Sequence, residues 1–165
     1  MPFHPNAQRV EAFLAERGMP GRVIELPQST RTAAEAAQAI GCTVAQIAKS
    51  LVFRGRQSGR AILVIASGAV RVDEARLAEL VGEPVERADA DFVRTQTGFA
   101  IGGVPPAGHQ TPLPTYIEST LMTLPEIWAA AGTPHAVFRL RPEELLTLTG
   151  GHVVDVAEQH DPTRH

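Results

Sequence analysis

The stretch Lys49-Ser-Leu-Val-Phe-Arg-Gly-Arg-Gln-Ser-Gly-Arg-Ala-Ile-Leu-Val-Ile-Ala66 decides the fold. Residues Leu51 to Phe53 and Ala61 to Ala66 are two short apolar runs with the turn Arg-Gly-Arg-Gln-Ser-Gly between them, polar and rich in glycine, so the pair predicts a β-hairpin. The second run carries no charge, as expected of a strand covered on both faces. If alternation starts at Lys49, then Lys49, Leu51 and Phe53 share one face, while Ser50, Val52 and Arg54 share the other. Arg54 marks its face as the outer one, which turns Lys49 toward apolar neighbours. A lysine at a strand end can also run its stem along an apolar surface and keep its ammonium in water. The pattern supports both placements.

Upstream of the hairpin, Thr43 to Ala48 reads as a short helix feeding the strand. Asn6 to Arg17 carries Val10, Phe13 and Leu14 at helical spacing, with Gly18 at its end. Arg22 to Leu26 reads as a strand. Thr32 followed by Glu35 is a capping-box signature for a helix reaching Ile40 and stopped by Gly41. Downstream, Asp73 to Leu80 is expected to form an amphipathic helix with Leu77 and Leu80 inward, and Asp89 to Gln96 another. Helices interleaved with strands predict an α/β class fold.

A chain of 165 residues with 44% hydrophobic content suits one domain spanning 1–165. It shows no internal repeat and no long apolar run, and its Met-Pro-Phe-His-Pro start is unlike a secretory signal. Cys42 is the only cysteine, which fits a reducing compartment. The expectation is a cytoplasmic protein with no membrane and no DNA partner. A net charge of -3 and a pI near 6.1 exclude a protein that coats nucleic acid through a basic face. Aromatics at 5% are too few for a base-stacking platform. Recognition of an RNA end stays open.

The 15 basic residues comprise Lys49 and 14 arginines. A guanidinium is planar and stays protonated, whereas an ammonium is a compact point charge that fits a small cavity and shifts its pKa when buried. Lys49 is therefore the first candidate for a functional cation. The second candidate is Gly98-Phe-Ala-Ile-Gly-Gly-Val-Pro-Pro-Ala-Gly108, with four glycines and two prolines in eleven residues. Glycines allow close backbone approach, and Pro105 and Pro106 fix φ, so main-chain N–H groups can be held ready for a ligand. The spacing matches neither the phosphate-cradling nor the dinucleotide fingerprint, and no nucleotide cofactor is expected.

Ala48-Lys-Ser-Leu-Val-Phe53, Gly102-Gly-Val-Pro-Pro-Ala-Gly108 and Gly132-Thr-Pro-His-Ala-Val-Phe138 occur together in the order of one family. The chain resembles the YbaK/EbsC family over roughly residues 22–155. That family includes freestanding deacylases of misacylated tRNA and the editing insertion domain of bacterial prolyl-tRNA synthetases. The resemblance implies a mixed β-sheet or partly closed barrel flanked by helices. It also implies ester hydrolysis without metal, cofactor or covalent intermediate. By resemblance, Lys49 orients the terminal adenosine, phosphate or ester carbonyl, and Gly102, Gly103, Val104, Pro105 and Gly108 bind the aminoacyl group. His135 stands at the pocket wall, and Ser50, at a position that varies between specificity classes, contributes a small polar contact.

The substrate so implied is the 3′ aminoacyl end of a mischarged tRNA carrying alanine, serine, threonine or cysteine. An aminoacyl-tRNA synthetase is the further partner considered. Taken without the resemblance, His135 reads equally as a packed residue opening a strand. Arg54, Arg56 and Arg60 read as a solvated hairpin tip or as phosphate contacts, and Tyr116 and Trp128 as core or rim residues. His109 borders the glycine loop. Glu118 stands where many relatives show aspartate and is left out of the catalytic set. No histidine or cysteine pair has metal-ligand spacing. Two other classes stay in view: a module that binds aminoacyl-tRNA or a synthetase without turnover, and a thiol hydrolase built on Cys42 with His109 or His135.

Overall fold

In the computed structural model, which describes residues 3–158, the hairpin forms as the sequence predicts. Strand β2 (Ile47–Gly55) pairs antiparallel with β3 (Ala61–Ser67), Lys49 opposite Ala66 and Phe53 opposite Ile62. Every residue of β3 is buried, as its uncharged run requires. The other strands are β1 (Val23–Glu25), β4 (Val85–Arg87), β5 (Thr115–Glu118), β6 (Ile127–Ala130), β7 (Ala136–Leu140) and β8 (His152–Val154). They build one mixed eight-stranded sheet in the order β1-β7-β6-β2-β3-β5-β8, with β4 also on β2. Parallel pairs (β2 with β6, β3 with β5, β5 with β8) occur beside antiparallel ones.

Helices α1 (Pro5–Glu16), α2 (Ala33–Ile40), α3 (Glu74–Val81), α4 (Ala90–Thr97) and α5 (Pro142–Thr149) flank the sheet. Their caps follow from sequence. Thr32 accepts from the Glu35 amide, while the Glu35 carboxylate accepts from the Thr32 amide, satisfying two otherwise orphan donors. Asp73 and Asp89 cap α3 and α4 through their carboxylates, each such cap being worth about 1 kcal/mol.

Three local expectations are corrected. Thr43 to Ala48 is a single 3-10 turn at Val44–Gln46, because Ile47 is already drawn into β2 by its pairing with Trp128. Leu80 is 48% exposed; α3 buries Leu77 and packs Ala78 and Val81 instead. Nor does either face of β2 look outward, since Ala48 and Val52 enter the larger apolar cluster while Phe53 enters a second one, against which Leu51 packs. Arg54 escapes at the strand end, its guanidinium 5.3 Å from the Phe92 ring centroid.

The site owes its place to a division along one edge of β2. On that side β6 pairs only with Ile47 and Ala48, and β4 takes up the pairing again only at Phe53. Peptide groups in an antiparallel strand alternate in direction. The Ile47 carbonyl accepts from Gly68 beyond β3, and the Val52 carbonyl accepts from Ala88 on the opposite edge. By that alternation Ser50 directs its amide and carbonyl into the interval between β6 and β4.

Candidate functional site

A cleft of about 350 Å³ opens at this division. Its apolar walls include Ala48, Val52, Val93, Val104, Ala129 and Val137, and its cations are Arg31, Lys49 and Arg87. Among the described residues no aspartate or glutamate lines it.

Lys49 is half-buried and donates from Nζ to the Val70 carbonyl at 2.7 Å. An ammonium has three donors, and among the described residues only this one is taken, so two stay available to a ligand oxygen. Burial lowers the Lys49 pKa first, the Arg87 charge lowers it further, Glu118 opposes the shift and Arg71 adds to it. The group is thus a partly desolvated cation with no carboxylate among the described residues lining the cleft. Such a cation interacts more strongly with a developing negative charge than one in bulk water.

The glycine loop supplies the facing wall through Ile101, Gly102 and Val104. Gly102 has φ +92°, and a Cβ there would strike the Arg31 side chain, so both backbone and space demand glycine. Gly103 is buried, its amide donating to Ala100 and its carbonyl accepting from Gly132. Its N–H is therefore held inside the turn and is not the free donor the loop composition suggested. Pro105 is buried, and its carbonyl stands 2.7 Å from Nε2 of His109, whose pKa burial lowers against the effect of that contact. Gly108 packs on the Phe13 ring.

Of the residues singled out from sequence, Lys49, Ser50, Gly102 and Val104 line one cleft. Gly103, Pro105 and Gly108 shape its loop from behind. His135 is exposed at the start of β7 and lines a neighbouring hollow with His4, Glu25 and Thr133. Its Nδ1 lies 3.0 Å from the Gln28 carbonyl. Cys42 packs beside α2 with Ala36, Ala37 and Ile47, outside the cleft, and burial raises its pKa. Glu118 is fully buried, with its carboxylate accepting from Thr120 Oγ1, the Thr120 amide and the Ser67 amide. Arg56 and Arg60 pair with Glu86 and Glu83.

Sequence reasoning missed Thr30, Arg31 and Arg87 as lining residues. They come from the turn before α2 and from the end of β4, and no local pattern announces that these segments meet. Trp128, left open as core or rim, lines the cleft. Tyr116 packs in the second cluster.

Residues 27–148 match the family of the aminoacyl-tRNA editing domain. The chain belongs to that family, as the YbaK/EbsC resemblance implied. It is 32% identical to Bacillus subtilis (strain 168) YwhH over 123 residues, 74% of this chain and 78% of that protein. It is 29% identical over 126 residues to an Enterococcus faecalis (strain ATCC 700802 / V583) protein named "Putative Cys-tRNA(Pro)/Cys-tRNA(Cys) deacylase EbsC", covering 76% of each. A solved structure described as a "putative trans-editing enzyme for prolyl tRNA synthetase" superposes with a TM-score of 0.88 at 53% identity, covering 96% of this chain and 100% of that one.

Proposed function

We propose that this protein is a trans-editing hydrolase of the cytoplasm that removes a small, wrongly attached amino acid from the 3′ end of tRNA, acting beside an aminoacyl-tRNA synthetase. The observation that carries the reading is the Lys49 ammonium, half-buried at a cleft that no carboxylate lines among the described residues, with one of its three donors used by the Val70 carbonyl. Ester hydrolysis places negative charge on the carbonyl oxygen as water adds to the carbon. A fixed cation at that oxygen lowers the barrier more than it stabilises the neutral ester. The carbon–oxygen bond to the ribose then breaks, and the ribose oxygen takes a proton. For the attacking water the family resemblance suggests the neighbouring ribose hydroxyl of the tRNA, which would relay the water proton to the departing ribose oxygen.

The aminoacyl groups we assign to the cleft are small: alanyl, seryl, threonyl or cysteinyl. Such side chains are the ones a synthetase rejects poorly by binding alone. Among the described residues, no three histidine, cysteine or acidic side chains gather as a metal site, and the proposed chemistry uses none. No described helix is long and apolar enough to cross a membrane.

The test is deacylation of tRNAs mischarged with each of these amino acids by wild type and by Lys49→Ala. The expected result is turnover of at least one ester that falls by about a hundredfold or more in the variant. Tight binding of aminoacyl-tRNA without lysine-dependent turnover would replace the hydrolase by a binding module.

A further inference from the structure

Two hydroxyls at this cleft have no hydrogen-bond partner among the described residues: Thr30 Oγ1 and Ser50 Oγ. Both oxygens are shut off from solvent, and Thr30 as a whole is only 5% exposed. Both residues line the cleft, one from the turn before α2 and one from β2. Thr30 is held there by its amide, which donates to the Pro134 carbonyl at 2.6 Å. Ser50 is held by the strand, on the face of β2 it shares with Ala48 and Val52. Buried hydroxyls are ordinarily paired, and an unpaired one is costly. Two of them among the residues lining one cleft point to a ligand that completes them.

We propose that Thr30 and Ser50 form a hydroxyl-reading pair, and that the preferred substrate is therefore a seryl or threonyl ester rather than an alanyl one. This rests on the editing reading above and narrows it. A side-chain hydroxyl is donor and acceptor at once, so it can pair with a hydroxyl as either without bringing charge among Ala48, Val52, Val93 and Val137. The α-ammonium of the substrate is a poorer occupant, because it would be desolvated beside three cations with no carboxylate to meet it. An alanyl ester leaves both hydroxyls unpaired. A site built around hydrogen-bonding groups discriminates against a substrate that lacks the matching group.

The experiment measures kcat/KM for seryl, threonyl, alanyl and cysteinyl esters of one tRNA, using wild type, Thr30→Val, Thr30→Ser and Ser50→Ala. Wild type should favour the hydroxylated esters over alanyl by about tenfold to a hundredfold. Thr30→Val, which keeps the shape and removes the hydroxyl, should lower that ratio by about tenfold without lowering the melting temperature, and Ser50→Ala should lower it too. Thr30→Ser should keep it. A wild type that hydrolyses alanyl or cysteinyl esters as well as seryl, in a lysine-dependent way, overturns the hydroxyl pair and leaves the editing reading standing. So does a Thr30→Val enzyme with an unchanged ratio. Absence of lysine-dependent hydrolysis of every ester sinks both.

Discussion

Gly103 lies against the backbone of Thr133 so closely that a Cβ at position 103 would stand 2.9 Å from its N, Cα and carbonyl carbon. Because the neighbour is main chain, it cannot swing aside as a side chain could. Gly103→Ala is expected to cost about 1–3 kcal/mol of stability, the usual range for forced overpacking. The same strain pushes the loop carrying Gly102 and Val104 away from Lys49. Misplacement by about 1 Å can cost about a hundredfold in rate, so the loss of deacylation should exceed what the fraction unfolded explains. Thermal melts alongside single-turnover deacylation separate the two.

Lys49→Arg keeps the charge and changes its shape. The longer planar group cannot both reach the Val70 carbonyl and present a compact cation to the cleft. Deacylation should fall by about a hundredfold while the protein stays folded. Lys49→Met has a separate signature in stability. Since the folded-state pKa of Lys49 lies below 10.5, the unfolded chain binds more protons in the interval between those values. Wild-type stability therefore rises with pH there. Chemical denaturation at a series of alkaline pH values should show this rise in wild type and its loss in Lys49→Met.

Acid should act elsewhere. The Glu83 carboxylate accepts from the Ser58 amide and hydroxyl and the Gln57 amide, and lies beside Arg60. These contacts, led by the Ser58 amide, hold its pKa to about 2. Glu144 is held to about 2 chiefly by its two-point pairing with Arg22. Both folded values lie below 4.5, so their stabilisation is complete above that pH and is lost as pH falls from 4.5 toward 2. Denaturant midpoints should decline across that window, and Glu83→Gln should flatten the decline.

Cys42→Ser should deacylate at close to the wild-type rate. The thiol packs outside the cleft and burial raises its pKa, the reverse of what a nucleophilic thiolate needs. A loss above tenfold in steady-state turnover, with folding intact, would revive the thiol mechanism.

The hairpin and the caps were legible because their signals are local: an uncharged run, a glycine-rich turn, a threonine three residues before a glutamate. Lys49 was legible through its rarity and its place at the start of a strand. Composition marked the glycine loop, but composition could not say that the Gly103 amide is consumed by Ala100. His135 carries the same lesson. Its neighbours announce a turn before β7, yet only the fold shows that the ring looks into the hollow beside the cleft. Thr30 and Arg87 left no trace in the sequence, because their meeting depends on where β4 and β6 stop along β2. That is a property of pairing length over long sequence separation, to which local periodicity is blind.

Because the cleft is an unclosed seam in the sheet, its width is set by how far two neighbouring strands zip toward each other. One further rung on β6 would bring a peptide up against Ser50 and begin to seal the opening, whereas one rung fewer on β4 would widen it toward Phe53. A chain with this architecture can thus retune the size of its guest by trimming or extending strand ends, with the lysine untouched.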